Sequence, residues 1–229
     1  MKAADSRAPL YPIFLSLAGR ACLVVGGGKV AERKTEELLR AGARVTVVAP
    51  AVTEALARHA EEGALEWARR GFGPADLDGM ALAFVATSDP DVNRRAASEA
   101  RARGVWVNVA DDPGACDFHV PALLRRGRVA VAVSTGGAAP ALASWVRDRV
   151  AGALPEGLGD LAEVLAVLRE IAPAGGGLGA EDQRRLIGSG ILDDLARGDW
   201  AAADGKVARH FAGAPPVSGI LGCPAREAT

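Results

Sequence analysis

The chain predicts an α/β fold, a Rossmann-like, doubly wound parallel sheet followed by a C-terminal helical dimerisation region. Three observations carry this expectation. Short apolar runs recur through the first half, separated by helical stretches at a pitch that suits βαβ crossovers. The first run ends in a triple glycine that leads straight into a helical pattern. From Pro140 onward the apolar residues recur at helical spacing.

Taken in order, strands are expected at residues 21–25, 44–48, 82–86, 105–109 and 129–133, with a further short one at 65–67. Helices are expected between them at 31–41, 53–62 and 91–103. Pro140 is placed to open a helix carrying Leu142, Trp145, Val146, Arg149 and Val150. Residues 158–171 read as another amphipathic helix, 173–179 as a glycine-rich break, and 181–197 and 200–211 as two more helices. The expected division is a dinucleotide-binding domain over 1–118, a dimerisation and substrate segment over 119–150, a helical module over 151–213 and a disordered tail over 214–229. A helical module of that size buries little surface alone, so it is expected to pack on a second copy and make a homodimer.

A net charge of −1 gives no global field to recruit nucleic acid or an anionic membrane. Cys22, Cys116 and Cys223 are too widely spaced for a disulfide framework and fit a reducing cytosol. No apolar run reaches the ~18 residues of a membrane span, and no signal-peptide core opens the chain. A cytoplasmic protein without nucleic-acid or membrane partners is therefore expected.

The run from Cys22 to Val25, the glycines Gly26, Gly27 and Gly28, and the helix that follows fit a dinucleotide-binding turn. Gly26, Gly28 and Ala31 match its small-residue fingerprint: Gly26 permits the turn, Gly28 lets the backbone approach a pyrophosphate, and Ala31 lets helix and strand pack closely. The free N–H groups at the start of the helix, around Lys29, Val30 and Ala31, favour negative charge. The carboxylate that often follows about 20 residues on, to hold a ribose, is absent. The second strand instead runs into Pro50 and Ala51, with no arginine to receive a 2′-phosphate, so NAD is expected, held there by backbone atoms.

In an open α/β sheet ligands bind beyond the carboxyl ends of the strands. Three segments lie there. Thr87 and Ser88 can line a cofactor, or Ser88 or Asp89 can cap the next helix. Asn108 precedes the adjacent carboxylates Asp111 and Asp112, which read equally as a Pro-Gly turn or as functional groups. Ser134, Thr135 and Gly136 begin a second glycine-rich loop, which can hold an anion or let two chains approach. Arg125, Arg126 and Arg128 read as a solvated face unless the substrate is a polyanion. Cys116 and His119 have no second pair to complete a metal site, so no metal ligand is expected. No Gly-x-Ser-x-Gly elbow suggests a hydrolase.

Several segments in order resemble the precorrin-2 dehydrogenase / sirohydrochlorin ferrochelatase family, the N-terminal module of siroheme synthases. They are Tyr11-Pro12-Ile13-Phe14 with Leu17, the string from Val25 through Gly28 to Lys34, Ala41 to Val47, Ala86-Thr87, Asn108 to Asp111, Phe118 to Ala122, and Val131 to Gly137 with Pro140. The likeness covers residues 11–150, and the large methyltransferase domain of fused siroheme synthases has no counterpart here, so it is to the standalone form. The resemblance implies oxidation of precorrin-2 to sirohydrochlorin with NAD and, in some members, insertion of ferrous iron, brought as substrate, by the same protein acting as a lyase. It places the family's important carboxylate at Asp111, a base for the proton lost as hydride leaves, and makes Asp112 a turn former. It casts Asn108, Ser134, Thr135 and Gly136 as substrate contacts and gives Arg125, Arg126, Arg128 and Arg147 a role against the carboxylates of a tetrapyrrole. Thr135 stands where some relatives carry a phosphorylated serine. Two other readings stay open: a non-catalytic dinucleotide sensor, which has no need of a base at Asp111, and a chelatase alone, which the intact Gly26, Gly28 and Ala31 set argues against.

Overall fold

A computed structural model describes residues 9–171, 179–211 and 213–222. The chain forms two compact units, Met1–Val120 and Pro121–Thr229.

The first unit alternates strand and helix: β1 (Ala21–Val25), α1 (Lys29–Arg40), β2 (Arg44–Val48), α2 (Glu54–Glu61), β3 (Glu66–Ala68), β4 (Leu82–Val85), α3 (Pro90–Ala102) and β5 (Trp106–Val109). All five strands are parallel, in the order β3-β2-β1-β4-β5. Chain direction across the sheet therefore reverses between β1 and β4, the switch point where such folds open a crevice. The central strands read as unbroken apolar runs because both of their faces are covered. Leu23, Val25, Val85, Val107 and Val109 pack with Ala96, Ala97 and Ala100 of α3 on one face. Cys22, Val24, Val47 and Phe84 pack with Ala31 and Leu38 of α1 and Leu56 of α2 on the other. The short strand expected at 65–67 lies one residue later, where Trp67 Nε1 donates to the Ala49 carbonyl at 2.9 Å.

Thr35 of α1 is fully buried and its hydroxyl has no hydrogen-bond partner among the described residues. Thr35→Val keeps the branched shape and removes an unsatisfied polar group, so it is expected to stabilise the protein by about 1 kcal/mol in chemical denaturation. A loss of stability would mean the hydroxyl is bonded in solution.

In the second unit the structure corrects three expectations. The strand β7 (Val129–Val133) does not extend the parallel sheet; it pairs antiparallel with β6 (Ala122–Arg126) in a separate two-stranded sheet. The sequence hides β6 behind its charged end, Arg125 and Arg126. Gly127, at φ +54, turns the hairpin and lies so close to Gly159 that a Cβ would stand 3.1 Å from the Gly159 backbone. The helices are α4 (Pro140–Ala153), α5 (Leu158–Ile171), α6 (Ala180–Gly188), α7 (Ile191–Arg197), α8 (Trp200–His210) and α9 (Val217–Ile220). Second, the single helix expected at 181–197 is broken, because Gly190 adopts φ +82 and starts a new helix. Third, the helical module has a core of its own, built from Leu161, Val164, Leu168, Leu186, Ile191, Leu195, Ala203, Val207 and Val217. Close approach explains how so few residues achieve this: a Cβ on Gly157 would stand 2.4 Å from the Leu192 carbonyl. Buried Asp194 accepts from Arg197 at 2.8 Å and pairs with Lys206, joining α7 to α8.

That core also takes in part of the expected tail. Val217 is fully buried and its N–H donates to Asp204 Oδ1 at 2.6 Å, so the chain to residue 222 is packed. Residues 223–229 of that tail, and the glycine-rich break apart from Gly179, lie outside the described residues. Among the described residues no helix is long and apolar enough to cross a membrane.

Candidate functional site

The loop after β1 is seated by two glycines. Gly26 adopts φ +122, donates its N–H to the Val48 carbonyl at 3.0 Å, and a Cβ there would stand 2.3 Å from the Ala86 carbonyl oxygen. Gly27 is held as tightly: a Cβ would stand 2.0 Å from the Ala51 oxygen, and its own carbonyl accepts from the Thr53 N–H. The small-residue fingerprint assigns Gly27 no role of its own, because the backbone that excludes a side chain there comes from beyond the tip of β2.

Gly28 differs from its two neighbours. Its φ is −83°, open to any residue, and a Cβ would meet nothing within 4 Å. Backbone freedom is therefore not its contribution. It is the N-cap of α1, with no side chain capping the helix, and the space before the first-turn N–H groups stays clear. Ala31 is fully buried against the sheet, whereas Val30 is exposed and Lys29 turns to Glu32 at 2.9 Å. The Thr53 hydroxyl, and after it Lys29, hold the Glu32 carboxyl below its usual range. An open helix N-terminus over a tight glycine turn fits the pyrophosphate of a dinucleotide.

Pro50 and Ala51 lie exposed beyond β2 and put no charged side chain there. The structure adds one cation on that flank that sequence order did not suggest: the Arg69 guanidinium stacks 4.3 Å from the centre of the Trp67 ring, beside the end of β3.

At the end of β4 the Thr87 hydroxyl donates to Asn93 Oδ1 at 2.7 Å and accepts from the Asp89 N–H at 3.1 Å. Asp89, rather than Ser88, caps α3 through the N–H groups of Asp91 and Val92. Thr87 thus serves the local turn.

The two carboxylates after β5 differ sharply. Asp112 accepts from the Ala115 N–H at 3.2 Å and caps the tight helical turn Pro113–Ala115. Asp111 is exposed, has no partner among the described residues, and at φ +60 is the one described non-glycine residue in the left-handed region. Alternation along a strand is not what separates them, since the chain leaves the extended conformation at Asp111. Left-handed backbone is uncommon outside glycine, with aspartate and asparagine among the residues that tolerate it best. Strain of this kind gathers at functional sites.

The chain then folds back beside β5. The Asp117 N–H donates to the Val107 carbonyl at 2.8 Å, Asp117 Oδ2 accepts from the Val107 N–H at 3.0 Å, and Cys116 Sγ lies 3.3 Å from the Val109 oxygen. Burial pushes the Cys116 thiol up. The Asn108 side chain donates to the Phe118 carbonyl at 2.9 Å, which gives it a structural bond within this loop. His119 is half-buried, and no group of three or more acidic, cysteine or histidine side chains is placed to hold a metal among the described residues.

The remaining candidates belong to the second unit. Ser134 Oγ accepts from the Gly136 N–H and Thr135 Oγ1 from the Ala139 N–H, both at 3.1 Å, so the two hydroxyls brace the loop into α4. Arg126 donates to the Ala151 carbonyl at 3.0 Å, Arg128 pairs with Glu163, and Arg147 pairs with Asp148 at 2.7 Å. Arg125 is exposed and without a partner among the described residues.

Two family models match the chain, one described as putative NAD(P)-binding over residues 13–122 and one as sirohaem biosynthesis protein central over residues 126–153. A siroheme synthase of Methylobacillus flagellatus is 41% identical over 199 residues, covering 87% of this chain and 42% of the relative. A siroheme synthase of Chromobacterium violaceum is 42% identical over 207 residues, covering 88% and 44%. The chain thus spans less than half the length of these relatives. Among solved structures, SirC, a precorrin-2 dehydrogenase, superposes with a TM-score of 0.69 at 27% identity, covering 88% of this chain and 98% of that one.

Proposed function

The chain belongs to the precorrin-2 dehydrogenase / siroheme synthase family, and from that premise we propose that it oxidises precorrin-2 to sirohydrochlorin with NAD. The observation that carries the reading is Asp111, a carboxylate with no partner among the described residues, on strained backbone just beyond the carboxyl end of β5, the strand that pairs with β4. A sensor that only bound a dinucleotide would gain nothing from it.

A bound nicotinamide dinucleotide supplies the hydride acceptor. The chain's own residues do the rest. The first-turn N–H groups of α1 hold the pyrophosphate, with Gly28 leaving room for it. The Asp111 carboxylate takes the proton that the tetrapyrrole gives up as it is oxidised. Exposed Arg125 is available to a substrate carboxylate, while Ser134, Thr135 and Gly136 shape their loop. Ferrous iron is a second substrate in this reading, with the Asp111 carboxylate accepting the displaced pyrrole protons one at a time and passing them to solvent. The free thiols of Cys22 and Cys116 fit the reducing cytoplasm as the place of reaction.

Anaerobic incubation with precorrin-2 and NAD, followed by sirohydrochlorin absorbance, is expected to show turnover; none would overturn the reading. Repeating it with NADP tests Arg69, which favours a 2′-phosphate if it reaches the ribose. Adding ferrous ion to the product tests chelation.

The proposed assembly is a homodimer through the second unit. Support comes from α4, where Leu142 and Trp145 are more than half exposed, and from β6 and β7, whose outer edges have no neighbouring strand among the described residues. Light scattering at micromolar concentration is expected to give twice the chain mass for the wild type and the chain mass for Leu142→Asp/Trp145→Asp. A wild-type monomer would refute the assembly.

A further inference from the structure

We propose that Lys34 anchors a carboxylate of the tetrapyrrole substrate, an inference that rests on the reaction proposed above. Lys34 lies in the second turn of α1, on the flank of the helix that faces β4, where its ammonium stands 5.3 Å from the centre of the Phe84 ring. The Phe118 ring meets Phe84 edge-on at 5.3 Å, and Phe84 is the direct neighbour of Asn108 across the β4–β5 ladder. The ammonium therefore stands over the buried Phe84 ring, on the β4 side of the sheet whose next strand, β5, leads to Asp111.

Its charge has no ion-pair partner among the described residues, and only Cys116 and Glu37 attract it from farther away. Lys29 has Glu32 and Lys206 has Asp194, but Lys34, half-buried, has no carboxylate within ion-pair distance among the described residues. Burial, followed by the neighbouring Arg33, pushes its pKa down. An aromatic face offsets part of the lost hydration of a cation, and an anion completes the rest. A half-buried cation left in this state fits an anionic ligand that arrives from outside.

Position decides which anion. Pro50 and Ala51, at the adenosine end, lie beyond β2, and the pyrophosphate site lies at the first turn of α1. Since β2 and β4 flank β1 on opposite sides, Lys34 faces away from the adenosine end. An acetate or propionate arm of a polycarboxylate tetrapyrrole has the charge and reach to meet the ammonium from the solvent side.

The test uses Lys34→Met, which keeps the stem, and Lys34→Arg, which keeps the charge. For Lys34→Met, KM for precorrin-2 is expected to rise about 10- to 100-fold with kcat changed by less than about threefold. NAD affinity by calorimetry, the dimer mass and the thermal midpoint without substrate are expected to hold, since a half-buried cation with no ion pair adds little to stability. Lys34→Arg is expected to recover most of the KM. An unchanged KM in Lys34→Met beside an active wild type would overturn the inference alone. Lost NAD affinity would make Lys34 a cofactor residue, and a lowered midpoint or halved mass a structural one; each overturns the proposal. If the wild type does not oxidise precorrin-2, the functional reading fails first. Titration with sirohydrochlorin then decides on Lys34 separately, since equal affinity of wild type and Lys34→Met would reject it.

Discussion

Asp111→Asn is expected to lower precorrin-2 turnover by about 10²- to 10⁴-fold while the dinucleotide binds as before, the range typical for loss of a general base. Asparagine is the cleaner replacement. It keeps the size of the side chain and tolerates φ +60, whereas alanine adds about 1 kcal/mol of backbone strain to the chemical loss. The neighbour is the control. Asp112→Ala removes the carboxylate that caps the turn Pro113–Ala115, so it is expected to cost about 1 kcal/mol of stability with turnover largely retained. Single-turnover absorbance kinetics on folded, dinucleotide-saturated variants separate the two. Near wild-type turnover in Asp111→Asn, with collapse in Asp112→Ala, would move the base by one residue.

Gly28→Asp is expected to abolish dinucleotide binding in a protein at least as stable as the wild type. The position is the N-cap of α1, its φ is −83°, and a Cβ meets nothing within 4 Å. Aspartate is a favoured N-cap whose carboxylate accepts from the first-turn N–H groups and complements the helix dipole, a gain of roughly 0.5–1 kcal/mol. Those are the N–H groups a pyrophosphate needs. One side chain therefore both satisfies the helix and shuts out the ligand. Calorimetry with NAD beside a thermal melt reads both effects, and unchanged affinity in a folded variant would remove the site from this helix end. Gly26→Ala is expected to fail differently, in folding, since its Cβ would strike the Ala86 carbonyl at φ +122.

These contrasts mark what could be read from residue order. The parallel sheet was legible because its central strands are doubly covered and so appear as apolar runs punctuated by glycine. The tight glycine turn into α1 was legible for a similar reason, as a local motif. The roles inside it were not. Gly27 is fixed by Ala51 and Gly28 by the absence of neighbours, and both facts depend on where the tip of β2 arrives. The hairpin is hidden in the sequence because β6 ends in two arginines that resemble a surface charge cluster, although Arg126 is engaged with the end of α4. Asp111 and Asp112 carry the same side chain side by side. Only the hydrogen bond to Ala115 and the backbone angle at Asp111 tell them apart. Lys34 was visible as part of the family string, but its missing partner is a property of the fold.

The return of residues 116–118 along β5 has a consequence for how copies of this protein behave when crowded. A terminal strand of a parallel sheet ordinarily offers its free amides and carbonyls as a template on which another chain can nucleate. Here Asp117 occupies both groups of Val107, and the Cys116 sulfur sits against Val109. The sheet is thereby finished on that side, and runaway strand-by-strand growth has no starting point there. Opposite it, β3 offers only Glu66–Ala68, too short to serve as a template. A sheet sealed in this way can keep its crevice open to ligands without becoming a seed for aggregation.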